Sequence, residues 1–197
     1  MREISPAVGL TVDEWIAVMP DSLKEVVERI RQEKRLGARP RPSLSLVDRS
    51  TLLTSDLRTR LLDAVAALVD ENYIGRGEMC IQFADLLDRA LSKLSFPARA
   101  VLGKAIYYDP AGSEIFRWDH AWVRVGDEIV DGNVDSIPEN LLVPKTVKVP
   151  PYWGPVRETP SDRHFQEHHG KPLPHDEDVE QYWWPDLSAL IDGMSGR

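Results

Sequence analysis

Apolar residues recur at steps of three and four over residues 11–35, where Trp15, Val18, Met19, Leu23, Val26, Val27 and Ile30 form a helical stripe. Thr11 and Asp13 can cap it, and Glu14 can complete a capping box. Pro20 interrupts the pattern, so a short helix is expected, then a second one capped by Asp21 or Ser22 and ending near Gly37. Residues 37–42 read as a connector. A further helix is expected from Ser55 or Asp56 to about Asn72, with Leu57, Leu61, Leu62, Val65, Leu68 and Val69 on one face. Gly75-Arg76-Gly77 is a tight turn. Beyond it Cys80, Ala84, Leu87, Leu91 and Leu94 form one helical stripe, stopped by Phe96-Pro97.

The period then changes to two. Residues 98–107 read as a strand, 109–112 as a turn, and 116–125 and 128–131 as antiparallel strands joined at Gly126-Asp127. Beyond residue 138, prolines at 144, 150, 151, 155, 160, 172, 174 and 185 leave little periodicity besides 146–149 and a short helix at 185–193. Tyr152, Trp153, Phe165, Tyr182, Trp183 and Trp184 are too apolar for a free tail. This segment is expected to wrap the core as ordered loops and to wall a cleft. The organisation expected is one domain in three parts: a helical segment over 1–50, a core over 51–143 and a Pro/aromatic-rich segment over 144–197.

Composition narrows the function. The 197 residues are 42% hydrophobic and 28% charged, as in ordinary globular chains. Twenty-four basic against 32 acidic residues give a net charge of −8, a field that repels a phosphate backbone, so no nucleic-acid partner is expected. No apolar run reaches the ~18 residues of a membrane span, and no apolar leader opens the chain. The expectation is a cytoplasmic protein without a membrane partner. His164, His168, His169 and His175 lie near several carboxylates, but their spacing matches no fixed zinc motif, and no metal or cofactor is expected.

One cysteine, Cys80, can form no internal disulfide. Read alone, it is a small buried hydrophobe on its own stripe. It also opens a helix, where partial positive charge and free N–H groups favour a thiolate and can hold an oxyanion. In the strand Arg117-Trp118-Asp119-His120-Ala121-Trp122-Val123, alternation puts Trp118, His120 and Trp122 on one face. A two-residue turn at Gly126-Asp127 pairs Val125 with Glu128 and Arg124 with Ile129. Continued, it sets Trp122 opposite Asp131 and His120 opposite Asn133. Asp131 is then one diagonal step from His120, able to orient the imidazole and balance its charge. Asn133, Trp122 and Trp118 are supporting candidates, and Asp135 is a more distant one. Cys80, His120 and Asp131 together follow the logic of nucleophile, base and orienter.

The run Gly77-Glu78-Met79-Cys80-Ile81-Gln82-Phe83-Ala84-Asp85-Leu86-Leu87, then Phe96-Pro97-Ala98-Arg99-Ala100-Val101, then His120-Ala121-Trp122-Val123, then Asp131, resembles the transglutaminase-like superfamily over residues 70–135. Gly132-Asn133 stands where that family carries Pro-Thr. The resemblance implies a papain-like α+β fold, N-terminal helices with the Cys helix packed on an antiparallel sheet. It implies Cys80 as nucleophile, His120 as general base and acid, and Asp131 as orienter. The activity implied is thiol acyl transfer or amide hydrolysis through a Cys80 thioester, on a peptide-like or small-molecule amide or acyl substrate. Two alternatives stand beside it. One is a non-catalytic binding module of the same fold. The other is acyl transfer like that of arylamine N-acetyltransferases, which Arg76-Gly77 and Gln82 around Cys80 resemble.

Overall fold

The structure is a computed structural model that describes residues 44–72, 75–139, 143, 147–170 and 172–195. The chain divides into two units, Met1–Arg39 and Pro40–Arg197. The helices expected over 11–35 and the connector at 37–42 lie outside the described residues.

The elements of the second unit run β1 (Val47–Asp48), α1 (Ser55–Asn72), α2 (Cys80–Lys93), β2 (Ala98–Tyr108), β3 (Glu114–Val125), β4 (Glu128–Asp131), β5 (Tyr152–Pro155), β6 (Arg163–Glu167) and α3 (Trp184–Ser195). Short 3-10 turns follow β4 and β5, and a π turn over Val179–Trp183 leads into α3. Six strands form one sheet in the order β1-β5-β4-β3-β2-β6. It is a mixed sheet: β1 runs parallel to β5 and the other neighbours are antiparallel. The fold is therefore α+β, as expected.

Local chemistry explains the helix limits. The Thr54 hydroxyl accepts the Leu57 N–H at 3.3 Å and caps α1. On α2, Cys80, Phe83, Ala84, Leu86, Leu87, Ala90 and Leu91 are buried, which matches the 3.6-residue stripe. It ends in a Schellman arrangement. The Ser95 N–H returns to the Ser92 carbonyl at 2.9 Å, and the Phe96 N–H to that of Leu91 at 3.0 Å. Ser95 itself takes the left-handed φ of 67° that this ending requires. The Asp88 carboxylate then accepts the Ala100 N–H at 2.9 Å, tying α2 to β2.

The sheet has two occupied faces. Ala121, Val123, Val125, Val130 and Trp153 pack with the buried residues of α1, α2 and α3. The alternate positions, Phe116, Trp118 and Trp122 with Val101, Ala105 and Tyr107, join smaller clusters on the other face with Val134, Ile137, Val147, Val149 and Tyr152. The β3–β4 hairpin has the expected register, Val125 opposite Glu128 and Arg124 opposite Ile129.

The C-terminal segment departs from expectation. In place of loops laid over the core it supplies β5, inserted between β1 and β4, and β6 on the far edge. Tyr152 and Trp153 are fully buried, whereas Tyr182 is 62% exposed. These strands are only four and five residues long, too short for a period to register. Arg163 also occupies an inward position of β6, where the alternation rule looks for an apolar residue.

Gly132 sets how closely the end of β4 approaches the helices. A Cβ there would stand 2.5 Å from the Phe83 ring and 2.8 Å from Leu62. Gly132→Ala is expected to destabilise the fold by about 1–3 kcal/mol through overpacking. Urea unfolding measures this, and a variant within about 0.5 kcal/mol of the parent, the usual surface value, would contradict the close approach.

Candidate active site

The turn before α2 is held from one side. The Arg76 guanidinium donates two 2.8 Å bonds to Asp135, and both side chains are almost fully buried. The Arg76 carbonyl accepts from Asn133 Nδ2 at 3.0 Å and from the Ser136 hydroxyl at 3.2 Å. The Arg76 and Gly77 N–H groups both donate to one Glu139 carboxylate oxygen at 2.7 Å. All these partners lie just beyond β4, so the start of α2 is locked to the end of the strand that carries Asp131.

Cys80 is the first residue of α2, a free thiol only 8% exposed. The first helical bond runs from the Phe83 N–H to the Met79 carbonyl at 3.0 Å. This leaves the N–H groups of Cys80, Ile81 and Gln82 outside the helical ladder. His120, on β3, is 1% exposed, and its Nε2 lies 2.8 Å from Asp131 Oδ1. Its other nitrogen, Nδ1, has no hydrogen-bond partner of ordinary geometry among the described residues. The Cys80 side chain interacts with the ring. The three distant residues are thus brought together, in the order sulfur, imidazole, carboxylate.

Neighbours hold the ring. Trp118 stacks on it at 5.0 Å between centroids and 14° between planes. Trp122 lies tilted at 6.3 Å. The series runs on through Phe116 to Tyr107 at one end and to Phe165 at the other. Both tryptophans therefore stand beside His120, as the alternation of β3 requires. Asn133 does not: its amide is bonded to Arg76, because the chain turns away after Asp131 into the 3-10 turn over Val134–Glu139. β3 and β4 pair as far as Val123 and Val130, and Asp131 pairs with Tyr152 on the other side. Asp135 holds Arg76.

Burial alone would push the His120 ring toward its neutral form. The attraction of Asp131, its hydrogen bond and the Cys80 side chain outweigh burial and raise the ring to about 10. Asp131 has a second cation nearby: its Oδ2 lies 3.7 Å from Nη1 of Arg163, with both side chains fully buried. Asn133 and Asp135 were expected beside His120 and are found instead on Arg76, while Arg76, Ser136 and Glu139 of the clamp, and Arg163, were not among the expected site residues. The two glycines flanking Arg76 were the available signal for the first; nothing local marks the second.

A cavity of about 160 Å³ opens at the sulfur, lined by Cys80, Ile81, Leu102, Gly103, Asp119, His120, His168 and Pro174. The C-terminal segment does wall this cleft, through His168 and Pro174 in place of its aromatics. The His168 N–H bonds to the Leu102 carbonyl at 2.9 Å. Gln82 donates to Asp176 at 2.9 Å, tying the same loop to the start of α2. His164, His169 and His175 are exposed. Among the described residues no three His, Cys, Asp or Glu gather as a metal-binding group, and no helix is long and apolar enough to cross a membrane.

The charge on His120 has a definite pH signature. Its folded value of about 10 lies above the ordinary 6.5, so folding takes up a proton. The resulting stabilisation is complete below about pH 6.5 and is lost as pH rises through about 10. Ring resonances followed by NMR should titrate near that upper value, and Asp131→Asn should bring the midpoint down by about 2 units. A folded-state midpoint near the ordinary value would contradict the pairing.

No family model matches the chain, and no curated protein matches it. A solved crystal structure described as genomics APC5867 is similar in fold. Its TM-score is 0.54 at 12% identity, over 75% of this chain and 82% of that one. At that identity the likeness concerns the fold alone.

Proposed function

We propose that the protein is a cysteine-nucleophile acyltransferase or amidohydrolase with a papain/transglutaminase-like fold, acting through a thioester on Cys80. The observation that carries this reading is the convergence of Cys80 and His120, from α2 and β3, in the lining of one cleft, with Asp131 of β4 buried behind the imidazole. A packed structural thiol needs no buried imidazole beside it, and a structural His–Asp pair needs no thiol.

The proposed cycle starts from an ion pair. The protonated ring, held on its far side by Asp131, serves as the counter-cation of a thiolate. The sulfur attacks an amide or ester carbonyl, and the first-turn N–H groups of α2 take the developing oxyanion. The imidazolium gives its proton to the departing amine or alcohol as the carbonyl–heteroatom bond breaks, leaving the acyl group on sulfur. His120, now neutral, takes a proton from water or an incoming amine as that group attacks the thioester. The thiolate leaves and the imidazolium is restored. Asp131 holds the ring's Nε2 throughout, so that Nδ1 faces the sulfur. The substrate class proposed is a peptide-like or small amide, reaching Cys80 past Ile81, Leu102 and Pro174. A reducing cytoplasm would suit such a thiol.

Iodoacetamide tests the reading directly. Cys80 should alkylate at about pH 6–7 much faster than the same cysteine in the urea-unfolded chain. His120→Ala should slow the reaction at that pH by about 10- to 100-fold, because the sulfur loses its counter-cation and proton acceptor. A thiol that stays unlabelled until the protein is denatured would reduce Cys80 to packing.

A further inference from the structure

We propose that Arg163 is a positioning residue whose charge neutralises Asp131, leaving the His120 imidazolium free to balance a Cys80 thiolate. The inference rests on the reading of Cys80 as a reactive thiol and extends it to the edge strand β6.

The geometry is unusual for an arginine. Arg163 is 4% exposed. Its Nε donates to Asp162 Oδ1 at 2.7 Å and its Nη2 to Asp162 Oδ2 at 3.3 Å. That grip fixes the plane of the guanidinium and directs Nη1 inward, to 3.7 Å from Asp131 Oδ2. Neither Nη1 nor Oδ2 has a hydrogen bond among the described residues, so their attraction is one of charge. Asp162 is partly exposed, and solvent carries much of its charge. Asp131 is fully buried and has no such help. Burying an unbalanced charge is costly.

Counting charges then decides the state of the sulfur. With Arg163 present, carboxylate and guanidinium cancel, and a thiolate with an imidazolium cancel beside them. With Arg163 neutral, carboxylate, imidazolium and thiolate would leave one buried negative charge. The arrangement without net charge is then a thiol with the imidazolium–carboxylate pair. On the cavity side Asp119 of β3 and His168 stand beside Cys80 and His120; on the buried side of Asp131 and Arg163 the ionisable groups are Tyr107 from β2 and Tyr152 from β5, both held neutral by burial first of all. Neither can supply the missing positive charge. The arginine thus acts on sulfur through two intervening side chains, without touching substrate.

The test compares alkylation of Cys80 by iodoacetamide across pH 5 to 9 in the full chain and in Arg163→Lys, Arg163→Met and Arg163→Gln. Thermal melting identifies the folded variants, and Gln serves if Met does not fold. Loss of charge should move the rate profile alkaline by about one unit, a rate about tenfold lower near pH 6.5. Lys should restore the parent profile to within about threefold, because it keeps the charge while changing the shape. A folded Met or Gln variant with the parent profile overturns the proposal and leaves the reactive thiol standing. A folded Lys variant as slow as Met also overturns it, by assigning the effect to shape. A parent profile that coincides with that of the urea-unfolded chain overturns both the proposal and the reading beneath it.

Discussion

The buried ion pair between Arg76 and Asp135 is the constraint on which the rest depends. It joins the turn before α2 to the turn after β4, segments separated by 59 residues. Truncating one partner of such a pair leaves an unpaired buried charge, typically at a cost of about 3–5 kcal/mol. That is a large share of a domain's usual margin. Asn133, Ser136 and Glu139 add bonds to the backbone of the same turn. None of these residues lines the cavity at Cys80. They determine where the first residue of α2 stands relative to the last residue of β4, and hence where sulfur stands relative to carboxylate.

A second constraint acts from the sheet. β3 presents Phe116, Trp118, His120 and Trp122 on one face, and the rings follow one another as a continuous series. Large rings at successive positions leave the imidazole little rotational freedom. Gly103 lies opposite His120 in the ladder. A Cβ there would stand 2.4 Å from the Trp122 ring and 2.2 Å from the Gln166 carbonyl oxygen, so the close approach of β6 and Trp122 needs a residue without a side chain. The site is accordingly assembled from packed aromatics and buried charge on regular elements, which suits a geometry that has to be held.

Much of this was legible in the sequence where a physical rule is local. The Cys80 stripe has a 3.6-residue period and the β3 positions a period of two. The short turn at Gly126-Asp127 fixes a register, which is why Asp131 could be set beside His120 from the residues alone. Legibility ended where position depends on partners far along the chain. Asn133 looked like a neighbour of His120 on the assumption that β4 continues, but Asp131 is its last residue and the chain turns toward Arg76. β5 and β6 carry too few residues for periodicity, and β6 spends an inward position on a charged side chain. An arginine there reads as solvent-facing until Asp131, far earlier in the chain, is known to lie across from it.

The face-to-face seat of Trp118 on His120 has an optical consequence. A cationic imidazole withdraws excited-state density from an adjoining indole more effectively than a neutral one. The emission of Trp118, stacked at 5.0 Å, is therefore expected to brighten when the ring gives up its proton. Trp122, tilted at 6.3 Å from the same ring, would share in that response, against the background of the other four tryptophans.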